Sequence, residues 1–264
     1  VAVGGIIGYS CVAAGSGGFG LLNEGEIKAE KANGVGGIIG IIASESAVAD
    51  YESATSTATI SGRNYVGGII GRAASEFTVR DFISICAIKG VNYLGGAVGY
   101  NESAIALICG VNASEFTEDT SMSKDKFNFD AVACGTAQAI YNFEDVRVNE
   151  DLTATTEHTA GTKYVSTVAL CDGTEINANW LSAPMDTDSG YYPMTNAEFV
   201  TDKNVYKRFF FDSVREGVYC IETAQAMKNF TILCNDYDGY AGLSYALTDD
   251  VTLKGEFSPV KKFG

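Results

Sequence analysis

Val3-Gly4-Gly5-Ile6-Ile7-Gly8 is written again as Val35-Gly36-Gly37-Ile38-Ile39-Gly40 and as Val66-Gly67-Gly68-Ile69-Ile70-Gly71, with a looser copy at Leu94-Gly95-Gly96-Ala97-Val98-Gly99. The second glycines, Gly5, Gly37, Gly68 and Gly96, stand 32, 31 and 28 residues apart. A fixed period of about 20 to 50 residues marks a stacked, solenoid-like architecture. The hexapeptide is far shorter than the ~20 apolar residues of a membrane span. Paired glycines cost roughly 1 kcal/mol each inside a helix. In a strand, glycine marks a bulge, a bend or a close approach of two backbones. These four glycines are therefore expected to be structural corner pieces, with Ile and Val filling the interior.

Working upstream, apolar and polar positions alternate with a period of two, as in a half-buried strand. Counting back from Gly37, Gly68 and Gly96 aligns Ile27, Ala58 and Cys86 on one inward rung and Ala29, Ile60 and Ile88 on another. Lys28, Thr59 and Ala87 lie between them. No repeat can bury such a face alone, but neighbours bury it together.

Composition narrows the function classes. The 264 residues include 30 Gly, 3 Pro, 14 Tyr and 14 Phe, and the formal charge is −15. That charge argues against nucleic acid, whose recognition needs clustered Lys and Arg, and against anionic lipid surfaces. Seven cysteines and a single histidine, with no C-x-x-C pair, disfavour a structural zinc site. Cys86 reads as a small buried apolar residue. Cys220 and Cys234 flank one helical segment, which leaves a disulfide between them open.

Residues 1–112 hold the four repeats. Ser44–Val48, Ser75–Val79 and Asn101–Ile105 read as second strands between the glycine pairs. Gly15-Ser16-Gly17-Gly18-Phe19-Gly20 matches a dinucleotide fingerprint by letter, but no helix follows it, so a glycine-rich corner is the better reading. Residues 113–194 form irregular closing stretches and a cap, with strands over 128–134 and 164–170, a polar excursion over 149–162, and aromatics at Trp180 and Gly190-Tyr191-Tyr192-Pro193. Residues 195–264 change character. They hold an apolar run at Phe209-Phe210-Phe211, a helix over Glu222–Phe230, and strands at 244–248 and 251–254. The chain begins inside a repeat, which reads as a piece of a longer protein.

The repeated hexapeptide resembles the GLUG repeat of bacterial surface proteins, among them filamentous-haemagglutinin-like adhesins and the stalks of immunoglobulin-A-cleaving metallopeptidases. The resemblance implies a right-handed parallel β-helix and carries over no catalytic residue. Trp180–Met194 is similar to the segment that closes such a region, and Ile221–Met227 with Tyr245–Leu253 to the one that opens it. A next module is then expected to start near residue 215.

Few residues form a constellation with chemistry. His158 lies in a polar loop and reads as exposed. Glu45 and Glu76 each fall eight residues after their second glycine, and Glu102 falls six after its own. Stacked about 4.8 Å apart, such carboxylates would repel unless a cation lay between them. Glu45, Glu76 and Glu102 are therefore a candidate Ca²⁺ ladder, against the plainer reading of a solvated acidic face. Asp186-Thr187-Asp188 and Asp236-Tyr237-Asp238-Gly239 lack the rest of a twelve-residue calcium loop. Thr55, Thr57 and Thr59 make one row and no array.

The expectation is an all-β chain, a β-solenoid or right-handed parallel β-helix with repeats of 28–32 residues, plus a small C-terminal α+β segment. Its expected role is a non-enzymatic, extracellular structural or adhesive module of a bacterial surface protein. A carbohydrate-active β-helix enzyme and a self-assembling filament subunit are the alternatives. Expected partners are a surface protein or glycan of a host or neighbouring cell, adjacent modules, or copies of itself. No nucleic acid, no membrane insertion and no cofactor beyond Ca²⁺ are expected.

Overall fold

The computed structural model describes residues 1–13, 15–121, 127–150, 160–165, 170, 175, 213–215, 218–236, 244–253 and 259–260. The first repeat supplies β1 (Val3–Gly4), β2 (Ile7–Ser10) and β3 (Gly17–Asn23). The second supplies β4 (Glu26–Gly36), β5 (Ile39–Ile42) and β6 (Ala49–Ser56). The third supplies β7 (Thr59–Gly67), β8 (Ile70–Ala73) and β9 (Phe77–Ser84). In the fourth, the first strand is split into β10 (Ala87–Gly90) and β11 (Asn92–Gly95), followed by β12 (Val98–Asn101) and β13 (Ala104–Asn112). Beyond these come β14 (Glu115–Glu118), β15 (Phe129–Asp130), β16 (Ala133–Gly135), β17 (Ile140–Asn149) and β18 (Thr162–Val165).

These strands form three sheets, and every pairing within the three is parallel. The first holds β1, β4, β7, β10 and β14 in order, with β11 bonded to β7 and β15. The second runs β2, β5, β8, β12, β16, and the third β3, β6, β9, β13, β17, β18. The chain visits the three sheets in turn and adds one strand to each per repeat, a parallel β-helix-like arrangement. Ile38, Ile69, Ala97 and Val132 stack between the second and third sheets, and Val35, Val66 and Leu94 line the first.

The hexapeptide is where the chain turns from the first sheet into the second. In the second repeat Val35 and Gly36 end β4, Gly37 and Ile38 bend, and β5 begins at Ile39. A Cβ on Gly37 would lie inside 3.0 Å of the Gly68 carbonyl oxygen one repeat on and of the Ser56 hydroxyl. Gly5, Gly68 and Gly96 meet the equivalent pair of atoms: a carbonyl of the next repeat and the side chain of Asn23, Ser84 or Asn112. Those polar side chains are stacked in register, Asn23 on Ser56, Ser56 on Ser84, and Ser84 on Asn112. Asn23 Nδ2 donates to the Gly37 carbonyl at 2.6 Å, Ser84 Oγ to the Gly96 carbonyl at 2.5 Å, and Asn112 Nδ2 to the Ala131 carbonyl. Side-chain donors thus satisfy carbonyls at the bend, and the Gly96 carbonyl also accepts from the Gly68 amide at 3.2 Å.

The register bears out part of the inward ladder and corrects the rest. Ile60 pairs with Ile88, as the count-back expects, but their partner in the second repeat is Ile27 rather than Ala29. The cause is a bulge: Ala29 pairs with Gly62 while Asn33 pairs with Asn64, so β4 carries two extra residues between them. Because the slip is two, the inward face is kept. Of the stretches read as second strands, Ser44–Val48 is a connection from β5 to β6, whereas Ser75–Val79 is strand from Phe77 on and Asn101–Ile105 is strand except at Glu102 and Ser103.

Each long strand of the third sheet bends at one level. Gly20, Ser53, Asp81, Cys109 and Asp145 all have positive φ, and the pairings flanking them place them side by side.

At the C-terminal side, β19 (Ser213–Arg215) pairs antiparallel with β20 (Val218–Ile221), and β20 pairs parallel with β21 (Ser244–Leu247). Helix α1 (Ala224–Asp236) runs longer than the sequence suggests. Thr223 Oγ1 accepts from the Ala226 amide at 3.1 Å, an N-cap. Phe230 packs on Tyr245 with ring centroids 4.9 Å apart. Residues 251–253 are not strand. No helix among the described residues is long and apolar enough to cross a membrane. His158, Trp180, Asp186–Asp188, Tyr191–Pro193 and Phe209–Phe211 lie outside the described residues.

Candidate functional site

Two residues either side of the hexapeptide build the most distinctive outward surface. The residue after its last glycine is Tyr9, Ile41, Arg72 or Tyr100 in the four repeats, and these four stand level in the second sheet. The residue before its valine or leucine is Tyr65 in the third repeat and Tyr93 in the fourth. The two rows meet at the corner. The Tyr65 and Tyr93 ring centroids are 5.6 Å apart, those of Tyr65 and Tyr100 4.7 Å, and those of Tyr93 and Tyr100 4.8 Å. All three rings are half-buried. The Arg72 guanidinium lies 5.9 Å from the Tyr65 ring centroid and donates to Glu102 Oε1 at 2.7 Å.

Backbone geometry makes this cluster costly to build. Tyr65 and Tyr93 hold φ of +59° and +56°, and the level position in the second repeat is Gly34 at +78°. A left-handed backbone costs a non-glycine residue about 1–2 kcal/mol, and for a bulky residue it is a genuine outlier. Glycine would be cheaper at both places, so the rings are held against local preference. An asparagine precedes each: Asn33, Asn64 and Asn92 are in register. Asn64 Nδ2 donates to Asn33 Oδ1 at 3.3 Å. Asn92 Oδ1 accepts from the Tyr93 amide at 3.0 Å, and from the Asn128 amide and Nδ2 at 2.9 and 2.7 Å. This amide row pins the strained backbone and runs beside the rings.

The patch is close to neutral, because Glu102 offsets Arg72. That hydrogen bond raises the Arg72 pKa further, so the guanidinium stays charged. Burial, with Tyr93, Tyr65 and Glu102 nearby, raises the Tyr100 phenol, so it stays a donor at neutral pH. Among the described residues none of the three phenol hydroxyls bonds to protein. The surface thus offers ring faces, hydroxyl donors and amides.

The predicted glutamates are not brought together. Glu102 stands at the end of β12, one position beyond the level of Asn101, Ala73 and Ile42. Glu76 precedes β9 and stands level with Val48 and Ala104. Glu45 sits in the turn after β5, where Tyr9 Oη donates to it at 3.0 Å and Ser44 Oγ at 3.1 Å. Equal offsets from the glycines fail because the connections differ in length: 43–48 is six residues, 74–76 three and 102–103 two. The calcium ladder is therefore corrected to three separate carboxylates, and the described residues contain no cluster of three or more metal-ligating side chains. Cys220 and Cys234 are both free. The Cys220 thiol, buried in β20, donates to the Val218 carbonyl at 3.7 Å.

Two described carboxyls have shifted acidity, and both are lowered. Glu45 is held down by its own backbone amide, then by Tyr9 and Ser44. Asp119 is held down by the Ser121 hydroxyl, then by its amide, with Lys89 contributing. Both are held in the charged form, the state of an acceptor and not of a general acid.

Sequence reasoning from Gly5, Gly37, Gly68 and Gly96 missed the tyrosines. The signal was present in the extended motif, Asn64-Tyr65-Val66-Gly67-Gly68 and Asn92-Tyr93-Leu94-Gly95-Gly96 against Asn33-Gly34-Val35-Gly36-Gly37. No protein-family model, curated protein or solved structure matches this chain.

Proposed function

We propose that the chain is a non-enzymatic structural and adhesive module: a right-handed parallel β-helix, or β-solenoid, working at the cell surface as part of a large bacterial protein. The observation that carries this is the register of the outer surface. Tyr9, Ile41, Arg72 and Tyr100 stand side by side across four repeats, on a backbone ladder packed too tightly at Gly37 and Gly68 to accept a Cβ. A stiff scaffold with one continuous outward row suits presentation to a partner better than turnover of a substrate. The likeness of the hexapeptides to GLUG repeats and the acidic balance of −15 support the same reading. Beads coated with the chain test it on host and bacterial cells. Retention above beads carrying the heat-unfolded chain is expected. No retention on any surface sinks the adhesive role, and release of reducing sugar from cell-wall polysaccharide sinks the non-enzymatic one.

A further inference from the structure

We infer that the corner formed by Tyr65, Tyr93, Tyr100, Arg72 and Glu102 is a binding site for an uncharged oligosaccharide running along the stack. This rests on the adhesive reading and names its ligand class. A pyranose has apolar C–H faces and a hydroxyl edge. Its C–H bonds suit the negative face of a phenol ring, and its hydroxyls need donors and acceptors in one plane beside that face. The corner supplies both: three rings within 5.6 Å of one another, their hydroxyls, and the Nδ2 donor of Asn92, whose Oδ1 is taken by Tyr93 and Asn128. The Arg72–Glu102 pair, at 2.7 Å, adds a donor and an acceptor suited to vicinal hydroxyls. Tyrosine also gives contact area at low entropy cost, since its ring has only two torsions. Here the left-handed backbone and the Asn92 contacts hold Tyr93 in advance of binding.

Charge and size choose this occupant over others. The corner is neutral within a chain of charge −15, which disfavours acidic glycans and nucleic acid. A stable protein partner needs roughly 800 Å² on each side. Three rings of about 150–250 Å² each, already half-buried, leave well below that. Tyr65 stands on the third repeat and Tyr93 and Tyr100 on the fourth, two levels about 4.8 Å apart, so a ligand that covers all three rings lies along the stack.

Native electrophoresis in gels containing soluble polysaccharide tests this with the full chain. The probes are xyloglucan, mixed-linkage β-glucan, galactomannan and glycol chitin, with polygalacturonate as the anionic control. Retardation by at least one neutral polymer is expected, and a Tyr65→Gly/Tyr93→Gly variant should bind at least about tenfold more weakly. Glycine suits both backbone positions, so this variant should fold, and its circular dichroism and melting temperature are checked alongside. Arg72→Ala should weaken binding in the same direction. The inference is overturned if no neutral polymer retards the chain, if only polygalacturonate does, or if the double variant binds as the parent does. Bead adhesion separates it from the broader reading. Adhesion that survives periodate oxidation of the target's vicinal diols means a protein partner, which sinks the glycan and leaves the adhesive role. Loss of adhesion after periodate supports both.

Discussion

Ser84 Oγ donates to the carbonyl oxygen of Gly96 at 2.5 Å, across one repeat and inside the core. That hydroxyl also lies within 3.0 Å of where a Cβ on Gly68 would sit, as does the Gly96 oxygen itself. Neither atom can retreat, since one belongs to a paired backbone and the other is bonded to it. Gly68→Ala should therefore destabilise by about 3 kcal/mol or more, at the upper end of overpacking effects. Gly15 has positive φ but nothing within 4 Å of a Cβ, so Gly15→Ala should cost only about 1 kcal/mol of backbone strain. Urea midpoints compare the two; equal losses would mean that Gly68 is chosen for its backbone conformation alone.

The left-handed tyrosines invert a familiar ranking. Replacing a side chain by Ala is usually milder than replacing it by Gly. At Tyr93, with φ of +56°, glycine fits the backbone and alanine does not. Tyr93→Gly should thus be more stable than Tyr93→Ala by roughly 1 kcal/mol. Both lose the ring contacts with Tyr65 and Tyr100, so the difference isolates the backbone. Thermal unfolding of the pair decides it, and an alanine variant as stable as the glycine one would refute the strain.

The corner glycines and the Ile60–Ile88 rung were legible because each depends on a period of one repeat. Close backbone approach demands glycine wherever it recurs, and period-two alternation survives a slip of two. What depends on loop length was not legible. Nothing in the residues at 30–32 announces that β4 bulges, so Ile27 was placed one inward position away from its true level. The glutamates failed for the same reason: Glu45 and Glu76 share an offset of eight from their glycines and Glu102 has six, but they sit in connections of six, three and two residues. The tyrosine corner was hidden differently. Its members lie one or two per repeat and meet only across repeats, so no local window contains the cluster.

Acidity follows from the shifted carboxyls. Glu45 and Asp119 have folded pKa values below their ordinary ones, which lie near 4.3 and 3.9. Their stabilisation is present above those unfolded values and is lost as pH falls through the folded ones. Stability should therefore drop below about pH 4, and Glu45→Gln with Asp119→Asn should flatten that limb. Unchanged urea midpoints between parent and variant at low pH would contradict this.

The alkaline limb has the opposite sign. Burial, with Asp130 close by, pushes the Tyr141 phenol up to about 12. Its contribution is complete below the unfolded value of about 10 and is lost as pH rises through the folded one. Absorbance of tyrosinate should show one phenol fewer titrating late in Tyr141→Phe, and the alkaline unfolding midpoint should move accordingly. Titration of every phenol at its ordinary value would refute it.

Thiol reactivity offers a last check on the packing. Cys11 is exposed, Cys109 and Cys234 are half-buried, and Cys86, Cys134 and Cys220 are buried. The thiolate is the nucleophile, so burial acts twice, by blocking access and by raising the pKa. Burial raises Cys234, and burial with the carboxylates of Asp81 and Asp145 raises Cys109. Cys134, buried near Asp130, is raised furthest of these three. Iodoacetamide at mildly alkaline pH should label Cys11 first, Cys109 and Cys234 slowly, and the buried three only on unfolding. Since Cys220 and Cys234 are unbonded, reductant should leave the melting temperature unchanged to within about 1 °C, whereas losing a native disulfide typically costs 2–5 kcal/mol, or about 4–20 °C. A Cys220–Cys234 cross-linked peptide in a non-reduced digest would overturn the placement of β20 against α1.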